Sequence, residues 1–357
     1  MNLETRFDGL VLKNPLMPAS GPLSGDLAKL EFLYNQGIGA IVTKTVSSKA
    51  AIVPRPCIYG GKDFVMNSEL WSEYPYEMWI KEILPMLPTD VPRIISVGYT
   101  KEDMELLIPL LDPFADAFEI STHYVGKDLN VIAETVRTIR ANTEKPVYMK
   151  ISPHIPDPIG FATAVRNAGA TGIVAINSLG PTMNIDIESR KIIYGNIDGY
   201  AWTSGPMIKN LALAIVYMIK QAMPDFTVIG VGGIKSADDV IEFLLAGASG
   251  VQMLSSALLI GKDLYSKIID DLPKALEKYG FESIEEVRAI ILDKTISYTP
   301  KVPVVDHEKC TSCKLCEKIC PYFAITYTTK IVMDPEKCFG CELCISKCPV
   351  KAISKGK

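Results

Sequence analysis

The chain has 357 residues, 48% of them hydrophobic and 22% charged, and this composition excludes disorder over most of its length. Its 37 Lys and Arg against 41 Asp and Glu give a net charge of −4, which argues against a nucleic-acid-binding protein. The most apolar stretch, Leu211 to Ile219, is shorter than the roughly 20 residues of a membrane span. The N-terminus has neither the basic head nor the apolar run of an export signal, so we expect a cytoplasmic protein.

The sequence pattern of residues 1–296 predicts alternating strands and helices. Short β-branched runs alternate with amphipathic stretches such as Asp128–Asn142 and Ala237–Ala246. Eight βα units in a domain of about 250 residues are typical of the (β/α)8 TIM barrel, an α/β fold. The predicted strands are Pro15–Ala19, Ala40–Val46, Arg93–Gly98, Ala117–Ser121, Val147–Ser152, Gly172–Ser178, Thr227–Gly232 and Gly250–Ser255.

Polar residues and glycines stand at the C-terminal ends of these predicted strands. Because the active site of such a barrel lies at the C-terminal ends of its strands, we expect them to converge at one mouth. A lysine at a strand end can also be a solvated surface charge, but the apolar surroundings of Lys44 and Lys150 favour a place in the site. The converging residues are Ser20, Lys44, Ser121, Lys150, Asn177, Gly232 and Ser255.

The ends of strands seven and eight predict a phosphate site. They carry Gly230-Val-Gly-Gly-Ile234 and Ser255-Ser256, and barrels commonly bind a phosphate at these two strand ends. Glycines let backbone N–H groups approach phosphate oxygens closely, although glycines also end strands simply to make a turn.

Eight of the nine cysteines lie in the last 48 residues, in two runs. Each run reads C-x2-C-x2-C-x3-C-P, and the second follows the first by 28 residues (338 against 310). Bacterial ferredoxins hold two [4Fe–4S] clusters with this spacing, the fourth cysteine of each run binding the other cluster. The predicted ligand sets are Cys310, Cys313, Cys316 and Cys348 for the first cluster, and Cys338, Cys341, Cys344 and Cys320 for the second.

Structural zinc sites are the alternative for the tail, since they also use C-x2-C pairs, usually separated by a longer loop. A tail of about 50 residues cannot bury much core and would depend on its metal to fold. We therefore expect a small bacterial-ferredoxin-like α+β domain at residues 306–357, behind a proline-containing linker at residues 297–305.

The barrel resembles the FMN-dependent dihydroorotate dehydrogenase family, and the barrel with its cysteine-rich tail resembles the dihydropyrimidine dehydrogenase branch of that family. The resemblance covers the whole chain. The segments that carry it are Asn14–Gly21, Val42–Thr45, Met66–Ser68, Tyr148–Pro153, Ala175–Ser178, Gly230–Ser236 and Gly247–Gln252.

The resemblance implies an FMN site at the barrel mouth. The resemblance places Ala19, Ser20 and Gly21 against the isoalloxazine ring of FMN. It also implies that Lys44 and Lys150 lie near the isoalloxazine ring, where an ammonium group would stabilise the negative charge of reduced flavin in a water-poor pocket. The remaining implied FMN contacts are Thr45, Asn67, Gly205, Gly232, Gly233 and Ser255, with Gly205 by the ribityl arm and the last three at the phosphate.

The loop after strand four departs from the family. There the family supplies a Cys or Ser acid/base and two asparagines that hold a pyrimidine, whereas this chain reads Ser121-Thr-His-Tyr-Val-Gly126. Asn67, Asn177 and Ser178 are retained, and with Ser121 they form the predicted substrate-binding set. Because a lost asparagine contact costs about 1–3 kcal/mol, we expect neither dihydroorotate nor uracil as substrate.

Tyr124 stands where the family has its Cys or Ser, next to His123. A phenol with an ordinary pKa near 10 and an imidazole near 6.5 are both plausible proton donors to a carbon, and either side chain can alternatively serve only for packing. Cys57 is read as a packed thiol. The predicted catalytic residues are Tyr124, His123 and Lys44.

These features predict an FMN and iron–sulfur oxidoreductase. We expect electrons from a ferredoxin or a flavoprotein partner to reduce an activated C=C bond of a small cyclic or conjugated carbonyl compound, or the reverse. No separate dinucleotide fingerprint is present, so NAD(P)H would need a partner subunit, and a homo-oligomer or a heteromeric complex is expected. The alternative is an electron-transfer subunit of a larger complex; an RNA substrate is disfavoured by the −4 charge.

Overall fold

The computed structural model describes residues 1–122, 128–294, 296 and 298–356. The chain forms two compact units: a barrel unit, Met1–Leu292, and a cysteine unit, Asp293–Lys357. The domain bounds at residues 296 and 306, with a linker between them, stay a prediction. None of the described helices is both long and apolar enough to cross a membrane.

The barrel unit is built on eight parallel strands, numbered here 1 to 8 in chain order. Around the sheet they run 1-8-7-6-5-4-3-2, so consecutive strands are neighbours. The Gly39 N–H donates to the Leu16 carbonyl at 2.8 Å where strands 1 and 2 meet. The predicted TIM barrel is thereby confirmed. The strands are Leu16–Pro18, Ile41–Val42, Arg93–Val97, Ala117–Ser121, Val147–Ile151, Gly172–Ala175, Thr227–Val231 and Gly250–Met253.

Strand 2 is much shorter than predicted. Its regular ladder covers only Ile41 and Val42. The backbone N–H of Lys44 donates at 2.9 Å to the Ser24 carbonyl, which lies outside the sheet, and the chain returns to strand 3 at Val46 through a bridge with Val97. The chain thus bends out of the ladder at Lys44, and this bend brings the lysine to the barrel mouth.

Helices surround the barrel and bury one face each. Leu129–Arg140 shows why: Ile132, Val136 and Ile139 recur at helical spacing and are all buried, while Asp128 caps its start by accepting from the Asn130 N–H. In the described part of the barrel unit, the helices of at least five residues are Leu27–Asn35, Trp79–Ile83, Lys101–Leu111, Leu129–Arg140, Pro158–Asn167, Lys209–Ala222, Ala237–Leu245, Ser255–Ile260, Leu264–Tyr279 and Ile284–Arg288.

The N-terminal end of the barrel is closed by an antiparallel hairpin, Thr5–Phe7 with Leu10–Leu12. Phe7 meets Tyr148 of strand 5 edge to face, with ring centroids 6.2 Å apart. Both rings belong to an apolar cluster that also contains Val42 and Ile229. Because this end is filled with side chains, the pocket can open only at the C-terminal strand ends.

Four short strands that the sequence analysis does not assign form an antiparallel sheet: Ile58–Gly60, Val65–Asn67, Leu179–Thr182 and Ala201–Ser204. Each has three or four residues, too few to show a clear two-residue period. This sheet pairs Asn67 with Trp202. A further hairpin joins Ile185–Asp186 to Lys191–Ile192.

The cysteine unit repeats one motif twice. Helix Leu315–Ile319 has its counterpart 28 residues later in Leu343–Lys347. Hairpin Ile325–Tyr327 with Ile331–Met333 and the pair Val304–Val305 with Ile353–Ser354 complete the unit. A small cluster of buried side chains, Ile325, Ile331, Cys344 and Ile353, is its core. The predicted ferredoxin-like α+β domain is confirmed.

Candidate active site and cysteine-lined cavities

A pocket opens at the C-terminal ends of the barrel strands, with about 1100 Å³ of space that is partly open to solvent. It brings together all the predicted barrel-site residues that the structure describes, although they come from segments between residues 19 and 255. They are Ala19, Ser20, Gly21, Lys44, Thr45, Asn67, Ser121, Lys150, Asn177, Ser178, Gly205, Gly232, Gly233 and Ser255. We call this space the barrel pocket.

His123 and Tyr124, the predicted proton donors, lie outside the described residues. Cys57 is described, is half-buried and does not line the barrel pocket. Burial raises the pKa of the Cys57 thiol, which keeps it protonated and a poor nucleophile. Its role as a packed thiol stays a prediction.

Lys150 is held by a buried carboxylate that the sequence analysis does not single out. Lys150 Nζ and Glu119 Oε1 are 2.9 Å apart, with side chains 8% and 1% exposed. Gln252 Nε2 donates to the other carboxylate oxygen, Oε2, at 2.6 Å. The three side chains form a network across strands 4, 5 and 8, which fixes the ammonium group in the barrel pocket.

Lys44 has its own carboxylate partner. Its Nζ lies 2.9 Å from Glu69 Oε1, with side chains 6% and 11% exposed. The backbone N–H of Glu69 donates to Asn67 Oδ1 at 2.6 Å, so Glu69 is held next to a predicted substrate residue. Each lysine of the pocket is therefore neutralised by one glutamate.

Hydroxyl groups connect the first three strand ends. Ser20 Oγ lies 3.1 Å from Thr45 Oγ1, which lies 2.9 Å from Ser96 Oγ. Shared hydrogen bonds of this kind fix the rotamers of the side chains that make them. The chain thus fixes the pocket wall that Ser20 and Thr45 form.

At the opposite wall the backbone takes conformations that favour glycine. The φ angles of Gly205, Gly232 and Gly233 are 96°, 134° and 78°. A Cβ on Gly233 would also lie 2.8 Å from Lys209 Cβ, so only glycine fits there. Ser255 Oγ is 2.7 Å from Ser204 Oγ, which brings two hydroxyls to this wall.

Two buried polar atoms of the pocket lining have no hydrogen-bond partner among the described residues. They are Gln252 Oε1 and Ser256 Oγ. Buried polar atoms nearly always have a partner. The pocket therefore has unused hydrogen-bonding capacity along strand 8 and just beyond its end, which a bound ligand would complete.

Sequence reasoning missed Glu119, Gln252, Glu69 as a partner of Lys44, and Ser256 as a buried lining residue. A signal existed for the first two: each is a charged or amide side chain inside an apolar strand, Ala117–Ser121 or Gly250–Met253. Such a residue is costly to bury unless it is paired. Its partner, however, lies on another strand and is identified only by the fold.

The eight tail cysteines surround two cavities of the cysteine unit, of about 340 and 350 Å³. The first cysteine cavity is lined by Cys310, Cys313, Cys316 and Cys348. The second cysteine cavity is lined by Cys320, Cys338, Cys341 and Cys344. Among the described residues no three His, Cys, Asp or Glu side chains form a group that could hold a single metal ion. Both sets match the predicted exchange of the fourth cysteine, and the donors fit iron–sulfur clusters.

The fold and the barrel pocket define a (β/α)8-barrel enzyme whose active site lies at the C-terminal strand ends. The dihydroorotate dehydrogenase family matches residues 2–276, and the 4Fe-4S dicluster domain matches residues 309–352. The chain belongs to the dihydroorotate dehydrogenase family and carries a C-terminal iron–sulfur domain. The predicted membership is confirmed.

Curated relatives agree with this assignment. Proteins named dihydroorotate dehydrogenase B (NAD(+)), catalytic subunit, from Pyrococcus horikoshii and Geotalea daltonii are 32% and 34% identical to this chain. The matches cover 81% and 80% of this chain and 98% and 97% of the relatives. The chain is accordingly an FMN-dependent oxidoreductase that acts on CH–CH bonds, as the sequence analysis predicts.

Proposed function

We propose that the enzyme exchanges electrons between a ferredoxin-type or flavoprotein partner and a small cyclic or conjugated carbonyl compound, by reducing an activated C=C bond or by the reverse reaction. The observation that carries this proposal is the barrel pocket itself, where two buried lysines face a space bounded by glycines and serines. A cytoplasmic location and a homo-oligomeric or heteromeric assembly are proposed with it.

FMN fits the barrel pocket by its hydrogen-bonding groups. Gly232, Gly233 and Ser255 would hold the phosphate, and Gly205 the ribityl arm. Ala19, Ser20 and Gly21 would lie against the ring, with Thr45 and Asn67 beside it. The partnerless Gln252 Oε1 and Ser256 Oγ support a polar ligand in this pocket, because both offer hydrogen bonds along strand 8 and just beyond its end.

When bound, FMN supplies hydride transfer to or from a substrate carbon. The chain contributes charge and order around that chemistry. Lys150 and Lys44 present ammonium groups from a buried wall, where electrostatic stabilisation is stronger than in water. Because Glu119 and Gln252 fix Lys150, little reorganisation is needed during the reaction.

The substrate would be held by Asn67, Ser121, Asn177 and Ser178. Asn177 Oδ1 accepts from the Ser178 N–H at 2.8 Å, which orients the amide and leaves its NH₂ group to donate. Tyr124, or else His123, would hold the proton that reaches the substrate carbon. Since their loop differs from the family pattern, we propose a substrate other than dihydroorotate or uracil.

Two [4Fe–4S] clusters are proposed for the two cysteine cavities, and when bound they supply one-electron transfer. The curated relatives are named as catalytic subunits, which supports an electron partner on a separate chain.

Stopped-flow reoxidation of prereduced enzyme tests the proposal. General acid catalysis contributes about 10² to 10⁴ in rate, so Tyr124→Phe should slow reoxidation by substrate to that extent while FMN content and iron content stay unchanged. A normal rate in Tyr124→Phe with a collapsed rate in His123→Gln would move the role to His123. If neither variant changes the rate, neither side chain is the proton donor. If no candidate substrate reoxidises the wild type, the chain is an electron-transfer subunit without a carbon substrate.

A further inference from the structure

The described lining of the barrel pocket contains four charged side chains, and they form two neutral pairs. Lys150 pairs with Glu119, and Lys44 pairs with Glu69. Every other described lining residue is uncharged at neutral pH. In this part of the wall a substrate anion therefore finds each ammonium group already matched by a carboxylate.

The two pairs are not equivalent. The Glu119 side chain is 1% exposed and uses both oxygens, one toward Lys150 and one toward Gln252. The Glu69 side chain is 11% exposed, and only its Oε1 is paired with a lysine. Its backbone is fixed to Asn67 Oδ1 at 2.6 Å. Glu69 is therefore the carboxylate placed to meet a substrate that Asn67 binds.

A substrate carboxylate at this place would be opposed by charge. It could sit beside Glu69, which brings two anions together in a poorly solvated pocket. It could instead displace Glu69 from Lys44, but that exchanges one carboxylate for another and leaves Glu69 as an unpaired, partly buried anion. A substrate that presents an N–H group or an ammonium group here avoids both the repulsion and the unpaired anion, because the Glu69 carboxylate accepts hydrogen bonds.

We propose that Glu69 selects the substrate by charge: the edge of the substrate that faces Asn67 and Glu69 carries a hydrogen-bond donor, such as an amide N–H or an amine, and no carboxylate. This inference rests on the proposed function. The proposed substrate differs in charge from dihydroorotate, the compound in the names of the curated relatives, because dihydroorotate bears a ring carboxylate.

Paired probes that differ only in this group test the inference. The FMN-loaded full chain is titrated with orotate and orotamide, and with cyclohexene-1-carboxylate and its carboxamide, following the flavin absorption spectrum. We expect each carboxamide to bind at least about tenfold more tightly than its carboxylate, since like charges placed together cost several kcal/mol. Glu69→Gln keeps the shape, removes the charge and should reduce that ratio about tenfold.

Glu73→Gln is the matched control. Glu73 lies four residues further on, pairs with Arg55 at 2.7 Å, and is exposed outside the pocket lining. This variant should keep the wild-type ratio of carboxamide to carboxylate binding. A thermal melt of each variant shows whether it is folded.

Three results would overturn the inference: carboxylates that bind wild type as tightly as carboxamides, a ratio that Glu69→Gln leaves unchanged, or a spectral response to carboxylates alone. Failure of the proposed function looks different. In that case neither kind of probe changes the flavin spectrum, and no candidate carbonyl compound reoxidises the prereduced enzyme.

Discussion

The two units of this chain build their sites in opposite ways. In the cysteine unit each cavity takes three cysteines from one short run, where local spacing brings them together, and only the fourth from the other run. In the barrel unit, strands far apart in sequence supply Lys150, Glu119 and Gln252 to one network. A site built from local spacing can be read from the sequence, whereas one built across strands depends on the fold.

The largest effect is expected when Cys348, the cysteine that the second run contributes to the first cysteine cavity, is replaced. Cys348→Ser removes a ligand of the first cysteine cavity but none of the second. With two clusters the wild type should contain about eight irons, and the variant about four. Iron and acid-labile sulfide analysis of anaerobically purified protein measures this. Cys57→Ser is the matched control, and zinc in place of iron would contradict the cluster assignment.

A substitution in the Lys150, Glu119 and Gln252 network should lower the free energy of unfolding. Glu119→Leu leaves the Lys150 ammonium buried without its carboxylate, and breaking a buried pair costs about 3–5 kcal/mol. Denaturant unfolding followed by tryptophan fluorescence gives the free energy of unfolding. Adding Lys150→Met removes the stranded charge and should recover part of the loss. If the two losses simply add, the residues are not coupled.

The Lys44–Glu69 ion pair tests stability and rate together, because Lys44 is a buried charge and also a predicted catalytic residue. Lys44→Ala should slow flavin reduction by about 10²-fold, the size seen when one electrostatic group is removed from an active site. It also leaves Glu69 without its partner. Glu69→Gln in the same chain should recover stability but not rate. Equal reduction rates in wild type and Lys44→Ala would place Lys44 away from the flavin.

The smallest effect is expected at Asp103, which orders the loop that carries Tyr99 to the pocket. Burial by itself would raise the pKa of Asp103, but hydrogen bonds from Ser48, Thr100 and Tyr99 hold that pKa below the ordinary 3.8. Asp103→Asn should cost about 1–2 kcal/mol at pH 7.

The cost of Asp103→Asn should depend on pH in one direction. A carboxyl whose pKa is lower in the folded state stabilises the fold above pH 3.8, and that contribution is lost as the pH falls through the folded value. Melting curves of wild type and variant should therefore converge below pH 3.8. A constant gap would mean that the charge of Asp103 plays no part.

The sequence predicts the barrel because each strand is a short apolar run, and it predicts the residues of the mouth because those runs end in Ser, Lys, Asn or Gly. It does not predict the four-stranded antiparallel sheet, whose pieces of three or four residues have no readable period. It also identifies Lys44 but not its pairing with Glu69, because the sheet and the strand 2 bend bring these residues together.

The shared cysteines have a consequence for how the protein is made. A ribosome releases the chain in order, and residues 310–320 complete neither cavity. The second cysteine cavity has its full set once Cys344 has emerged, whereas the first must wait for Cys348, although three of its four cysteines were made earliest. If both cavities hold clusters, neither cluster has its full set of cysteines until Cys344 and Cys348 have been made, after the whole barrel unit has been synthesised.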